Sequence, residues 1–490
     1  MLGYWRVHTK YIEFMENAVA IELKINQLLL QHEPNQEAIN KMHLLNLDVI
    51  KPDFIPLFSP TGRPSNYQPE IFRSFVLMAH FKYGSIDEWV SYASSSPFIS
   101  ALSGVSQDEY PGASTHRDFI SRLWQSEGVS HEKVFVKKSK KKHGKEKMPP
   151  ERPGIVFEMA EKALAGEVFD DIPERLFQSI LYKTAVLPSA NMGLLGDTND
   201  LYASADGACV LSHSSTYGHR ICKCEGECAC PRWFADPEAN WGWDSYHEVF
   251  FFGFTMYTLT VHNAVLHLDL PIYLRFETAS QHDSVTLISA LSHARAMFTG
   301  SFTITNLLAD SAHDNYSTYN LLNNWDIRPF IDLNPRRSDN KPQSESEDFE
   351  LSENGVPVCI LGREMTNWGI DKARHRRKYR CPLCAGSISS CPFDDICNET
   401  DYGKIVYLRL SEDLRMFTPV QRGSEEWTNI YKQRTAVERT NTRILTDYQL
   451  ERPKRYGRKK IAFFAFCNAV NVHLDAQIRF KDYVFDTGAA

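Results

Sequence analysis

The spacing of apolar positions changes character along the chain. Up to about residue 130 it is helical: Ile71, Phe72, Phe75, Val76, Met78 and Ala79 follow Pro69, and Trp89, Val90, Tyr92 and Ala93 follow Ser85-Ile-Asp-Glu88. Phe119, Ile120, Leu123 and Trp124 likewise follow Thr115-His-Arg-Asp118. Pro69 suits an early helical position, and the two quartets have the form of capping boxes. These signals predict a small helical domain over 1–132, which suits a DNA reader as well as an ordinary packing unit. Next comes a stretch that cannot bury itself, with seven lysines between Lys137 and Lys147. It predicts a basic linker over 133–154, either a solvated tether or a phosphate contact.

Helical spacing returns over about 155–195, and then the period shortens. Strands are predicted at Leu201 to Val210, Val249 to Val261, Leu266 to Phe276, Ser301 to Asp310 and Ile327 to Asp332. Helices are predicted at Ser284 to Phe298 and Asn315 to Asn324. The second strand is nearly continuous in apolar residues, as a central strand requires. The order implies a mixed α/β sheet over 155–335 and 401–478. A polar insertion at 336–400 interrupts it, followed by a strand at Lys404 to Leu410, a long helix at Glu425 to Thr446 and an apolar helix from Ile461.

Charge and cysteine content sharpen this reading. The net charge of −7 excludes a uniformly basic nucleic-acid coat, yet basic runs stand out at Lys372 to Arg380 and Arg452 to Lys460. Local neutralisation is what a phosphate backbone asks for, so Arg376, Arg377, Lys378, Lys454, Arg455 and Lys459 are candidate DNA contacts. Trp368 or Trp427 offers an aromatic face to an unpaired base, although burial explains a tryptophan as readily. The longest apolar stretches fall short of a bilayer span and the N-terminus mixes charges throughout, so a cytoplasmic protein with no membrane partner is expected. Eleven clustered cysteines suggest metal sites in a reducing compartment. Cys381, Cys384, Cys391 and Cys397, four thiols in a C-x2-C-x6-C-x5-C pattern, are candidate ligands of a structural Zn2+. Cys222, Cys224, Cys228 and Cys230 lie so close together that a single tetrahedral site looks strained, and loop thiols are the expectation there.

Three acids carry the candidate chemistry. Asp206 interrupts the first strand, Asp310 closes a later one, and Glu438 lies in the long helix. More than a hundred residues separate each from the next, so only a folded sheet can gather them. Gathered carboxylates repel unless divalent cations neutralise them, and two Mg2+ (or Mn2+) ions held this way suit phosphodiester cleavage. Tyr431, Arg434 and Glu438 recur at i, i+3 and i+7 on one helix face, which Asn441 shares. Asp314 rivals Asp310 but falls within the following helix.

The spacing Tyr431-x2-Arg434-x3-Glu438, behind Asp206-Gly207 and Asp310, resembles the Tyr–Arg–Glu signature of bacterial insertion-sequence transposases. Asp236-Pro-Glu-Ala-Asn-Trp-Gly-Trp-Asp244, Tyr379-Arg-Cys-Pro382 and the region from Gly62-Arg-Pro64 to Trp89 extend the resemblance over most of the chain. Leu445 departs from it, at a position where the family commonly carries lysine. The resemblance implies a ribonuclease-H-like catalytic domain with a DDE triad of Asp206, Asp310 and Glu438. It implies strand cleavage at element ends and strand transfer into target DNA. The implied partners are double-stranded DNA (terminal inverted repeats and target) and a second copy of the chain. A catalytically silent DNA-binding descendant and a non-transposing metal-dependent nuclease are the alternatives.

Overall fold

The computed structural model describes residues 1–134, 154–226, 228–245, 247–335, 349–397, 400–450 and 456–480. Most of the basic linker, Lys454 and Arg455 lie outside the described residues. The N-terminal region is helical, as its spacing predicts: α1 (His8–Ile25), α2 (Glu33–Leu44), α3 (Gln68–His80), α4 (Ile86–Ser95), α5 (Pro97–Ser103) and α6 (Ala113–Leu123). Pro69 opens α3, and the Ser85 hydroxyl accepts the Glu88 amide at the start of α4. The other quartet caps nothing: α6 begins at Ala113 behind Gly112, which leaves Thr115 inside the first turn.

The sheet follows. Its strands are β1 (Leu201–Leu211), β2 (Asn240–Asp244), β3 (Val249–Asn263), β4 (Leu268–Thr278), β5 (Ile304–Ala309) and β6 (Arg328–Ile331). β3 is antiparallel to β1 on one side; on the other, its first residues pair with β2 and the rest with β4. β5 runs parallel to β1, and β6 parallel to β5. The order β4-β3-β1-β5-β6 is a ribonuclease-H-like sheet. β3 is central, which is why its sequence is apolar almost without interruption. α7 (Asp283–Phe298) and α8 (Tyr316–Asn324) connect the later strands.

Three expectations need correction. The strand Ile405–Arg409 does not enter this sheet. It pairs with Arg376–Arg380, which also pairs with Thr366–Asp371, in a three-stranded sheet that belongs to the insertion. Only Val406 and Leu408 of that strand are buried, and they pack with Val356, Met365, Tyr379, Met416 and Phe417. The insertion therefore has a small apolar core and extends past 400. The long helix is also interrupted: α9 (Glu425–Tyr431) passes through a 3-10 turn at Lys432–Thr435 into α10 (Ala436–Thr442).

The third correction concerns the N-terminal domain. α11 (Arg458–Arg479) lies between the helical region and the sheet. Phe463 meets Phe75 at 4.8 Å and Phe177 at 5.2 Å, while the His473 ring bonds the Pro271 carbonyl of β4. One apolar cluster runs from Trp5 to Ala476, so no boundary at 132 separates a core of its own. α11 has the length and hydropathy of a membrane span, but 89% of that window is buried inside the protein.

Candidate active site

Side chains alternate across a strand, so Ser204 and Asp206 leave one face of β1, and Ala205 and Gly207 the other. The Ser204 hydroxyl donates to the Gln433 carbonyl at 3.2 Å, which places Asp206 on the face covered by the segment carrying Arg434 and Glu438. Asp310 follows β5, the parallel neighbour of β1, at the same end of the sheet. The fold thus brings all three acids to one region.

Asp310 is held firmly. Its Oδ1 accepts the Ala312 amide at 3.0 Å and faces His313 Nδ1 at 2.8 Å. His313 is fully buried, and its Nε2 meets the Tyr257 hydroxyl at 2.9 Å. A second acid backs this arrangement. A Cβ added at Gly207 would lie 2.5 Å from Asp283 Oδ1 and 2.8 Å from Thr255 Cγ2. Only glycine lets the Asp283 carboxylate, at the start of α7, approach β1 from the face opposite Asp206, within electrostatic reach of it.

The charges in this pocket are unbalanced. Burial pushes the Asp206 carboxyl up to about 7; Asp310 and Asp283 add to the shift and His313 opposes it. Burial also raises Asp283. For Asp310 burial acts upward too, but the hydrogen bond and charge of His313, the Ala312 amide and Arg434 hold the carboxyl below its ordinary value. Burial lowers the His313 imidazole, yet the bond and charge of Asp310, with Asp283 and Asp206, carry it above its ordinary value. Hard carboxylate oxygens short of positive charge are the donor set a divalent oxygen-seeking cation fits.

On the helix side, the Arg434 guanidinium pairs with Glu438 Oε1 at 2.8 Å, the contact that their one-turn spacing predicts. The same guanidinium lies within electrostatic reach of Asp206 and Asp310. Tyr431 stacks on Trp427 at 4.6 Å. Asn441 is 6% exposed with its Oδ1 buried; it lies with Val437 and Thr440 on the packed side of α10 and does not share the outer face of Glu438. Asp314 is occupied elsewhere: its two oxygens accept Arg415 Nε and Nη2 at 2.7 and 2.6 Å, and both side chains are fully buried.

A family model described as a transposase DDE domain matches residues 220–470. The chain belongs to that family. The match covers just over half of this DDE transposase and begins beyond β1, so it includes Asp310 and Glu438, while Asp206 joins them through the sheet. None of the curated proteins compared with the chain matches it.

The other predicted residues of the transposase divide sharply. Arg377 is buried and donates to the carbonyls of Thr418 and Pro419 at 2.6 and 2.7 Å, which makes it a tie within the insertion and not a DNA contact. Its position in a β-strand turns it to the inner face, and the charge run conceals that. Arg376 pairs with Asp371 and lies over Tyr407. Lys378 reaches the Tyr402 hydroxyl at 2.7 Å, and Lys459 the Ser121 hydroxyl at 3.0 Å. Trp427 is buried, whereas Trp368 is exposed beneath Arg380. Among the described residues, Cys381, Cys384, Cys391 and Cys397 do not form a metal-sized cluster; Cys222, Cys224, Cys228 and Cys230 do. Sequence reasoning passed over Asp283 and His313. A signal existed for each: an acid opening a helix after His282, and a histidine three residues past Asp310.

Proposed function

We propose that this transposase cuts DNA at the ends of its element and joins the freed ends to target DNA, with Asp206, Asp310 and Glu438 holding two Mg2+ (or Mn2+) ions. The observation that carries the reading is that Asp206 and Asp310 each follow the Ala205–Ala309 pair on adjacent parallel strands, beneath the segment that carries Arg434 and Glu438. Bound there, divalent ions supply charge neutralisation and a more acidic water. His313 and the Ala312 amide fix the Asp310 carboxylate, and Tyr257 fixes His313. Arg434, paired with Glu438 in the free protein, turns to a DNA phosphate when substrate enters and releases the Glu438 carboxylate to the site. Tyr431 lines the approach.

In cleavage, a water oxygen bonds to the end phosphorus as the bond to the 3′-oxygen breaks, leaving a 3′-hydroxyl and a 5′-phosphate. In transfer, that 3′-hydroxyl oxygen bonds to a target phosphorus and gives its proton to solvent, while the bond to a target 3′-oxygen breaks and that oxygen takes up a proton from solvent. Because two ends must be joined, a pair of chains acts on the DNA. Lys378 and Lys459 are the described lysines proposed to meet the backbone; Lys454 and Arg455 extend that proposal.

A plasmid carrying the gene within its native flanks tests this. Asp206→Ala, Asp310→Ala and Glu438→Ala each abolish cleavage in Mg2+, while end binding by mobility shift is retained. Arg434→Ala reduces cleavage less completely. Near-normal cleavage by Asp310→Ala, with loss in Asp314→Ala, would overturn the assignment.

A further inference from the structure

The hairpin between β1 and β2 lacks a core. From Leu211 to Ala235 no described residue is buried. Its strands are two and three residues long: His219–Arg220 pairs with Pro231–Trp233, which also pairs with Glu132–Val134, the strand that leaves the helical region. Ribbons this short do not persist alone in water. Without apolar burial, cohesion has to come from a cross-link or a metal.

The tip of the hairpin offers the means. Cys222, Cys224, Cys228 and Cys230 place their sulfurs all within 4.8 Å of one another. Cys222 and Cys228 lie 3.4 Å apart, and Cys224 and Cys230 3.7 Å apart. Four thiolates around a tetrahedral Zn2+ at about 2.3 Å stand about 3.8 Å from one another, whereas a disulfide needs about 2.05 Å. All four are free thiols. The strain expected from such close spacing is avoided by the chain itself. Gly226 adopts φ 79°, a left-handed turn that folds the second pair back on the first, and Arg220 Nη2 donates to its carbonyl at 2.6 Å.

We infer that Cys222, Cys224, Cys228 and Cys230 bind one Zn2+ ion as a tetrathiolate, and that this ion holds the hairpin on which Glu132–Val134 docks. Soft sulfur donors favour Zn2+ over Mg2+, so the site is chemically separate from the carboxylates and stands or falls without them. Its position makes it a clasp: it closes the hairpin that ties the exit of the helical region to the catalytic sheet.

Metal analysis of the full-length protein, purified without chelators from zinc-supplemented medium, tests the inference. Wild type carries about one equivalent more zinc than Cys224→Ser/Cys230→Ser, while Cys381→Ser/Cys384→Ser keeps that equivalent. With cobalt in place of zinc, the thiolate charge-transfer absorption is present in wild type and lost in the first variant. In wild type itself, so that no variant need fold, a strong chelator removes the ion and loosens the hairpin, so that trypsin cuts at Arg220, Lys223 and Arg232 while the sheet resists. Equal zinc in wild type and Cys224→Ser/Cys230→Ser would overturn the proposal. So would free alkylation of all four thiols in the untreated protein, or Cys222–Cys228 and Cys224–Cys230 disulfides in protein kept under reductant.

Discussion

Asp206 lies within β1 and Asp310 ends the neighbouring strand β5, yet their carboxyls are driven in opposite directions because only Asp310 is hydrogen-bonded to a cationic partner. Asp310 has His313, itself steadied by Tyr257. Asp206 has burial and two nearby acids. The consequence for stability has a definite sign. The Asp206 carboxyl rises from 3.8 to about 7 on folding, so between those values the folded chain keeps a proton that the unfolded chain gives up. Stability of the metal-free protein therefore falls as pH rises through that window and stays low above it. Asp206→Asn removes the ionisation. In chelator at about pH 8 the variant is more stable than wild type by a few kcal/mol, with about 4 as the ceiling, and near pH 4 the difference closes. Adding Mg2+ stabilises wild type at the higher pH and not the variant. Chemical denaturation across pH measures this; an advantage that does not change with pH would contradict it.

At the scale of elements, buried arginines fasten the segment ahead of the Arg434–Glu438 helix. Arg415 is paired in bidentate fashion with Asp314, Arg377 reaches the carbonyls of Thr418 and Pro419, and Arg422 reaches the Ile331 carbonyl and the Tyr319 hydroxyl. Together they join the insertion, α8 and the edge of the sheet to the approach of α9. Removing one member of a buried pair leaves the other charge uncompensated. Arg415→Met is expected to cost about 3–5 kcal/mol in urea unfolding, and Asp314→Asn/Arg415→Met distinctly less. Arg376→Met, whose ion pair with Asp371 is partly exposed, costs under about 1 kcal/mol. Equal losses for Arg415→Met and Arg376→Met would refute the clamp.

For the molecule as a whole, α11 decides the architecture. Lys41 of α2 is buried, with its ammonium 2.7 Å from Asp475 and within hydrogen-bonding distance of His80, Tyr448 and Asn471. Helical region and catalytic sheet share that helix and one apolar core, so they unfold together. Trp89 and Trp124 report on one part and Trp325 on the other; replaced in turn by phenylalanine, they show coincident urea midpoints. Lys41→Met takes one of two cations from Asp475, which keeps Arg443 at 2.9 Å, and lowers stability by about 1–3 kcal/mol, with both reporters moving in step. Two separated midpoints would mean independent domains.

The sequence by itself determined the helices and strands whose apolar runs are long, because period alone separates a buried central strand such as β3 from an amphipathic helix. It determined Asp206 and Asp310 as candidates only through their joint pattern with Glu438, since a lone acid at a strand end is usually a cap, and the Asp310 carboxylate does cap the turn at Ser311–His313. The Arg434–Glu438 contact was also legible, because one helical turn fixes it locally. What lay beyond local pattern was decided by packing between segments distant in the chain. Nothing near Asp283 in sequence says that Gly207 leaves room for its carboxylate, and nothing in a basic run tells inward-facing Arg377 from outward-facing Lys378. The cysteines show the same limit: spacing favoured Cys381 to Cys397, but a left-handed turn at Gly226 gathered the other four. Whether the first 132 residues form a domain depended on α11, more than 300 residues away, because a shared core is a property of contacts and leaves no period in the chain that makes it.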